Sequence, residues 1–312
     1  MTRGAIRTVV SVVGDLVGGQ MTYPGDLKDW RESALVRRWH RRKSQGRIEE
    51  LALSPGDLRT PEAGFLEELT SGSIGLAGRT LTFANGSPFR LPAPSATFAR
   101  ELHGFGWLRH LEASRDDAAE AVARKLMLDW VRAGGRAQSL ACEPGVTARR
   151  VISWLAHNGI ALNNAPLADY DAVMDALSED VSWLERKTAA LETGLDRLFC
   201  GLALLEAAIC RELDAAAITR LETRFLDDLS RQFALDGVHL SRSPAAAIDL
   251  LLDLVPLRQL YAARRVAPPD VLTSMIEKMQ LALARLRLGD GSIARFNGMG
   301  ATVLEHVSVL LG

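Results

Sequence analysis

Two glycine-punctuated loops hold the densest groups of reactive side chains in this chain. The first, residues 232–244, reads Gln-Phe-Ala-Leu-Asp-Gly-Val-His-Leu-Ser-Arg-Ser-Pro and places Asp236, His239, Ser241, Arg242 and Ser243 close together. An imidazole titrates near neutral pH and can act as base or acid. A guanidinium matches a carboxylate through two parallel hydrogen bonds. His239 is therefore the candidate for proton transfer and Arg242 the candidate carboxylate clamp, with Asp236 beside them as a substrate-binding group. The second loop, 289–300, reads Gly-Asp-Gly-Ser-Ile-Ala-Arg-Phe-Asn-Gly-Met-Gly and offers Asn297 as a further clamp. Each residue also has a structural reading. His239 would hydrogen-bond a neighbouring helix, Arg242 would pair with Asp236, and Asn297 would form a turn.

Smaller constellations point toward sugars. His103 and Trp107 are four apart and would share a face on a helix, where an indole could stack on a sugar ring. The competing reading makes Gly104 and Gly106 marks of close helix packing and Trp107 a core residue. Arg149, Arg150 and Trp154 repeat the theme, with one arginine expected to face a cleft and the other solvent. Tyr261 lies about five turns beyond Ser243 on a helix, too far to serve the first loop. Gly289-Asp290-Gly291 lacks the Lys-Ser/Thr and preceding strand of a phosphate loop. No His/Cys/Asp/Glu cluster has metal spacing, and no Gly-x-Ser-x-Gly elbow occurs. Neither a metal nor an organic cofactor is expected.

These groups need a scaffold, and composition supplies one. The chain has 312 residues, is 47% hydrophobic and carries a net charge of −1, enough for one large core or two smaller ones. Near-neutrality gives no general attraction to nucleic acid or anionic membranes. Cys142, Cys200 and Cys210 form no disulfide framework and are expected as buried thiols. No apolar run of about eighteen residues exists, so no transmembrane helix is expected. Residues 5–18 read as a short amphipathic helix better than as a signal peptide, because Asp15 interrupts the apolar stretch.

Residues 1–45 form an N-terminal helical segment in which Arg37, Arg38, Arg41, Arg42 and Lys43 sit beside Trp30, Trp39 and His40. The reading is a solvated basic face. Residues 46–100 are rich in proline and read as an irregular ornament, with a small hairpin of Ile74–Leu76 and Thr80–Phe83 around Ala77-Gly78-Arg79. From 101 to 312 helix follows helix. Ser114 is read as a cap, and helices are expected near 146–157, 168–190, 193–212, 215–234 and 245–264. Pro256 is expected to kink the last of these. Another helix opens at Pro268-Pro269-Asp270, and a final apolar stretch spans 301–311. Helical stripes recur, as in Leu195, Leu198, Leu202, Leu205 and Ile209. No fixed-period repeat appears, which favours a helical toroid or irregular bundle over a solenoid.

Several segments, in order, resemble the N-terminal helical part of the heparinase II/III-like polysaccharide lyases, in their bacterial branch. They are Leu102–Leu108, Arg149–His157, Asp236–Pro244, Leu257-Arg258-Gln259, Gly289–Gly291 and Phe296–Gly298. The resemblance covers roughly residues 30–300. It implies a mainly α fold, an incomplete (α/α) toroid of helical hairpins whose concave face holds an acidic polysaccharide. It also implies β-elimination at a uronate, which needs carboxylate neutralisation, a base and an acid. On this reading His239, Arg242 and Asn297 are catalytic, and His103, Trp107, Arg149, Arg150, Trp154, Asp236 and Arg258 bind substrate. The sequence departs from the family in three places. Ala245-Ala246-Ala247 stands where the lyases continue into Tyr-His, no asparagine lies near Gly194–Arg197, and nothing β-rich corresponds to their C-terminal sandwich. A β-rich domain or partner is thus an expected companion. The family points to the cell envelope or periplasm, with the cytoplasm as the alternative. A non-catalytic glycan-binding toroid and a helical protein-interaction scaffold are the other functions the residues allow.

Overall fold

The computed structural model describes residues 47–312 apart from 85 and 115. The helix read at 5–18, the N-terminal helical segment and its basic cluster lie outside the described residues.

An extended segment (47–64) leads into α1 (Phe65–Thr70) and a hairpin of β1 (Ser73–Leu76) and β2 (Arg79–Thr82). The strands pair antiparallel from Ser73 opposite Thr82 to Leu76 opposite Arg79. The turn is therefore two residues, not three, and Arg79 belongs to the strand. Ala77 and Gly78 both take positive φ, 50° and 67°, the mirror-image turn whose twist suits a tight hairpin. Ile48, Phe65, Ile74 and Phe89 all enter the main core, so this proline-rich stretch packs as part of the helical body.

The helices that follow are α2 (Ala96–Gly104), α3 (Leu108–Ser114), α4 (Asp117–Arg132), α5 (Pro144–Ala156), α6 (Asn158–Leu162) and α7 (Leu167–Lys187). Then come α8 (Leu195–Cys210), α9 (Ala215–Gln232), α10 (Pro244–Ala263), α11 (Asp270–Arg285) and α12 (Leu304–Leu311). The anticipated helices agree to within a few residues. The cap of α4 does not: Asp116, not Ser114, accepts the amides of Ala118 and Ala119, and a carboxylate suits that helix end better than a hydroxyl. Ser243 likewise makes no side-chain cap on α10, although Pro244 does open it. α10 runs through the buried Pro256 without ending.

The helices form two rows. α2, α5, α8 and α10 touch in succession, and α7, α9 and α11 back onto α5, α8 and α10 respectively. Amphipathicity follows from this placement. α9 is an outer helix and buries one stripe, mainly Ile218, Phe225 and Leu229. α8 is an inner helix and buries eleven of its 16 residues on all sides. A helix that is apolar all round is one packed on every face, and each buried leucine contributes about 1.5–3 kcal/mol. Charged residues in this inner row, His103, Arg149, Arg150, Glu206 and Asp253, therefore need partners within the protein.

Candidate functional site

Partners exist, and some of them build the interior instead of a surface. Arg150 is 0% exposed and meets Asp180, 2% exposed, through Nε and Nη2, each at 2.8 Å. Its Nη1 donates to the carbonyls of His103 and Ala141, and its guanidinium lies 4.4 Å from the Trp130 ring centre. Arg136 pairs with the same Asp180 at 2.8 Å. His103 accepts from the Trp130 indole at 3.0 Å and faces Gln138 at 3.0 Å. Burial chiefly, helped by nearby Arg150, pushes its pKa down to about 4.

The two tryptophans marked as sugar platforms are core residues. Trp107 and Trp154 pack around Phe105 with ring centres at 5.1 and 5.3 Å, and both are buried. His103 and Trp107 do not share a helix face, because α2 stops at Gly104 and Phe105 turns the chain at φ 59°. His103, Trp107, Arg150 and Trp154 thus offer no face to a sugar. The reason is their place against the inner row, which spacing along the chain cannot reveal.

Arg149, the other member of that pair of arginines, does reach a cleft. The cleft holds about 50 Å³ and is walled by the 56–59 segment, α5 and α10, with Gly106 and Arg109 at one side. Arg149 Nη1 donates to both Asp253 oxygens at 3.0 and 2.9 Å. Arg59 donates to the same carboxylate through Nη1 at 2.8 Å and Nη2 at 3.1 Å. Asp57 accepts the Arg59 backbone N–H at 2.9 Å and faces His157 Nε2 at 3.3 Å. On the far side of the ring, His157 Nδ1 meets Glu112. Burial opposes charge on His157, but Asp57 and Glu112 outweigh it and raise the pKa. Burial also opposes charge on Asp57, and His157 and Arg59 outweigh it and hold the carboxyl well below its usual range.

Arg109 stands apart in this network. Its hydrogen bonds go to the carbonyls of Gly106 and Thr60, and no carboxylate pairs with it among the described residues. The cleft wall thus carries three guanidiniums, Arg59, Arg109 and Arg149, against two carboxylates, Asp57 and Asp253. Beneath it, Glu206 is buried on α8 with Oε2 unpartnered. Burial, then repulsion from Asp253, raises its pKa well above the ordinary value and favours the neutral acid.

The segment that carries Arg59 is held by three histidines. His157 contacts Asp57, His306 accepts the Thr60 N–H at 3.1 Å, and His110 accepts the Glu62 N–H at 2.7 Å. Burial, with Arg109 nearby, pushes the His110 pKa down to about 4, which keeps its accepting nitrogen free.

The loops at 232–244 and 289–300 do come together, at a separate place. Asn297 Nδ2 donates to the Arg242 carbonyl at 3.1 Å. Gly237 forms the anticipated turn at φ 81°, and a Cβ there would lie 2.4 Å from the Lys278 backbone, so glycine is required twice over. Val238 N–H donates to Asp236 Oδ1. Asp236 and Arg242 form no pair with one another among the described residues. His239 is 6% exposed. Its Nδ1 accepts the Ser241 N–H at 3.1 Å and lies 2.8 Å from the Ser241 hydroxyl, and Nε2 faces Gln232 Oε1 at 3.3 Å. Burial lowers its pKa, which favours the neutral ring. His239, Arg242 and Asp236 line a cavity of about 270 Å³ with mainly apolar walls. Arg258 is half-buried on α10 and lines neither cavity.

Sequence reasoning named Arg149 but missed Arg59, Arg109, His157, Asp57 and Asp253. One signal was available: Glu206 and Asp253 each interrupt an apolar run, Gly201–Cys210 and Leu250–Leu257.

No family model matches the chain. The chain is 33% identical over 262 residues to FtsZ-localized protein C of Caulobacter vibrioides, which takes in 82% of this chain and 44% of that protein. Among solved structures it is similar to the heparan sulfate lyase HepC from Pedobacter heparinus, with a TM-score of 0.57 and 16% identity over 95% of this chain and 48% of that one. A heparinase III structure matches with a TM-score of 0.59 and 14% identity over 87% of this chain and 47% of that one. The chain thus spans less than half the length of each protein it matches. At these identities the likeness to the lyases is one of fold: the two rows of helices are the incomplete (α/α) toroid that makes up about half of those chains.

Proposed function

We propose that this chain is a heparinase-like toroid that holds an anionic glycan at its ionic cleft, with a uronate carboxylate or a sulfate on Arg109 and Arg149. The observation that carries this reading is Arg109. It is a cleft cation with no carboxylate partner among the described residues, beside two arginines that share the single carboxylate of Asp253. A guanidinium held by backbone carbonyls is oriented before the ligand arrives, which lowers the cost of binding. The toroid fold of the lyases supports the choice of a polysaccharide.

Elimination is a separate matter from retention. It would fall to His239 as base, with Arg242 and Asn297 as clamps. Burial favours the neutral ring that a base requires on His239, but its nitrogens are engaged with Ser241 and Gln232, and Asn297 is engaged with the Arg242 carbonyl. Binding without turnover is therefore the reading that the residues support best.

The test is retention on immobilised heparan sulfate, chondroitin sulfate, alginate and polygalacturonate, alongside ultraviolet absorbance for the conjugated uronate that elimination creates. Salt-sensitive retention lost in Arg109→Ala, with no rise in absorbance, is the expected result. No retention on any acidic glycan would sink the reading. A rise in absorbance abolished by His239→Ala would replace it with a lyase.

A second reading is favoured by the 33% identity to FtsZ-localized protein C: the chain works as a scaffold within a division assembly. Co-localisation of a fluorescent fusion with FtsZ, unchanged in Arg109→Ala, would favour it.

A further inference from the structure

The cavity beside the 232–244 loop has a different character from the ionic cleft. It holds about 270 Å³, near the small end of ligand pockets. Its walls include Val238, Pro244, Ala247, Leu283, Leu286 and Phe296. Most of the wall offers no hydrogen-bond partner to a sugar hydroxyl. The polar side chains in it, Asp236, His239, Arg242, Ser243 and Arg285, all belong to the loop or to the last turn of α11.

Two cations line the space, Arg242 from the loop and Arg285 from the last turn of α11. Both are exposed, and neither pairs with a carboxylate among the described residues. The one carboxylate in the wall, Asp236, is engaged with the Val238 N–H. The Arg242 backbone is held in place. Its φ is 52°, its N–H donates to the His239 carbonyl at 2.7 Å, and its carbonyl accepts from Asn297. Phe296 is 41% exposed and forms part of the wall. An apolar space with a small number of charged groups converging on it is the usual form of a small-ligand site.

We propose that this cavity binds a small amphiphilic anion, with a short acyl or aromatic body against the apolar walls and a carboxylate or sulfate on Arg242 and Arg285. The ligand class follows from the walls and from two guanidiniums that pair with no carboxylate among the described residues. Apolar burial drives entry, and charge-assisted hydrogen bonds select the anion over its neutral analogue. The site is distinct from the proposed glycan cleft and shares no lining residue with it.

The probes are octanoate and octanol, titrated calorimetrically into the full chain. Octanoate is expected to saturate one site and to bind at least about tenfold more tightly than octanol, the advantage of hydrogen bonds to a charged group. The double variant Arg242→Gln with Arg285→Gln should bind octanoate no better than octanol. Ala247→Phe fills the cavity and should abolish binding of both. If Ala247→Phe fails to fold, protection of the Ala247 and Leu283 region in hydrogen exchange on octanoate binding takes its place. Equal affinity for octanoate and octanol, or undiminished octanoate binding in the double variant, would overturn the assignment of the arginines. No saturable binding of either probe, or binding unaltered by Ala247→Phe, would overturn the site.

Discussion

Asn297 Nδ2 donates to the Arg242 carbonyl at 3.1 Å, joining two loops that stand 55 positions apart. Both residues have positive φ, 45° and 52°, which asparagine tolerates better than most side chains. Asn297→Ala removes the hydrogen bond and adds backbone strain. It is expected to cost about 1–2 kcal/mol. Asn297→Gly removes the bond but relieves the strain and should cost less. Urea unfolding of the two variants decides the order.

The Arg150–Asp180 pair has no solvent to fall back on. Asp180→Ala strands the buried Arg150 and leaves Arg136 with Glu179 alone, and is expected to cost about 3–5 kcal/mol. Arg150→Lys should also destabilise, because an ammonium cannot reproduce the forked contact with Asp180 while reaching two carbonyls. Thermal unfolding of both variants provides the measurement. A cost near zero for Asp180→Ala would mean that the pair is not buried as described.

Glu206 should make stability fall with rising pH. Its folded pKa is raised, so above the unfolded value the native state holds the proton more firmly than the unfolded chain does. Ionisation then favours unfolding. Glu206→Gln keeps the shape without the titration. It is expected to be at least as stable as the parent at about pH 8, with a smaller difference at about pH 5. Urea midpoints for the two proteins at both values test this.

Acid should act through His103 and His110. Each has a folded pKa near 4, below its unfolded value, so the unfolded chain takes up protons first. Their contribution is full above about pH 6.5 and lost as pH falls toward about 4. Protonation also removes the acceptors used by Trp130 and by the Glu62 N–H. His110→Asn retains a nearby acceptor without the titration and should flatten the acid limb of a stability profile. His157 has the opposite sign. Its raised pKa contributes stability at low pH that is lost as pH rises through the folded value.

Arg109→Ala removes the hydrogen bonds to the Gly106 and Thr60 carbonyls and should lower stability by no more than about 0.5–1.5 kcal/mol. Any acidic glycan retained by the parent should nevertheless be lost. Arg59→Ala is the contrast: it strips Asp253 of one partner and is expected to lower stability more.

The helices were legible because each carries its own evidence. The stripe of α9 can be read from Ile218, Phe225 and Leu229 alone. Loop proximity was legible too, since His239, Ser241 and Arg242 are near neighbours in the chain. The ionic cleft was not. Its residues run from Asp57 to Asp253, and apart from Asp253 within its apolar run none has a local signature, because a buried arginine and an exposed one look alike in sequence. Trp107 and Trp154 misled for the same reason: an indole suited to a sugar is equally suited to a core.

The hydrogen bond from Thr60 N–H to His306 Nε2 crosses 246 positions. A contact of such range is among the most expensive loops for a folding chain to close, so the cleft should assemble late, after the helical rows have docked. Anything that binds there would then report on, and stabilise, the finished molecule and none of its partly folded forms.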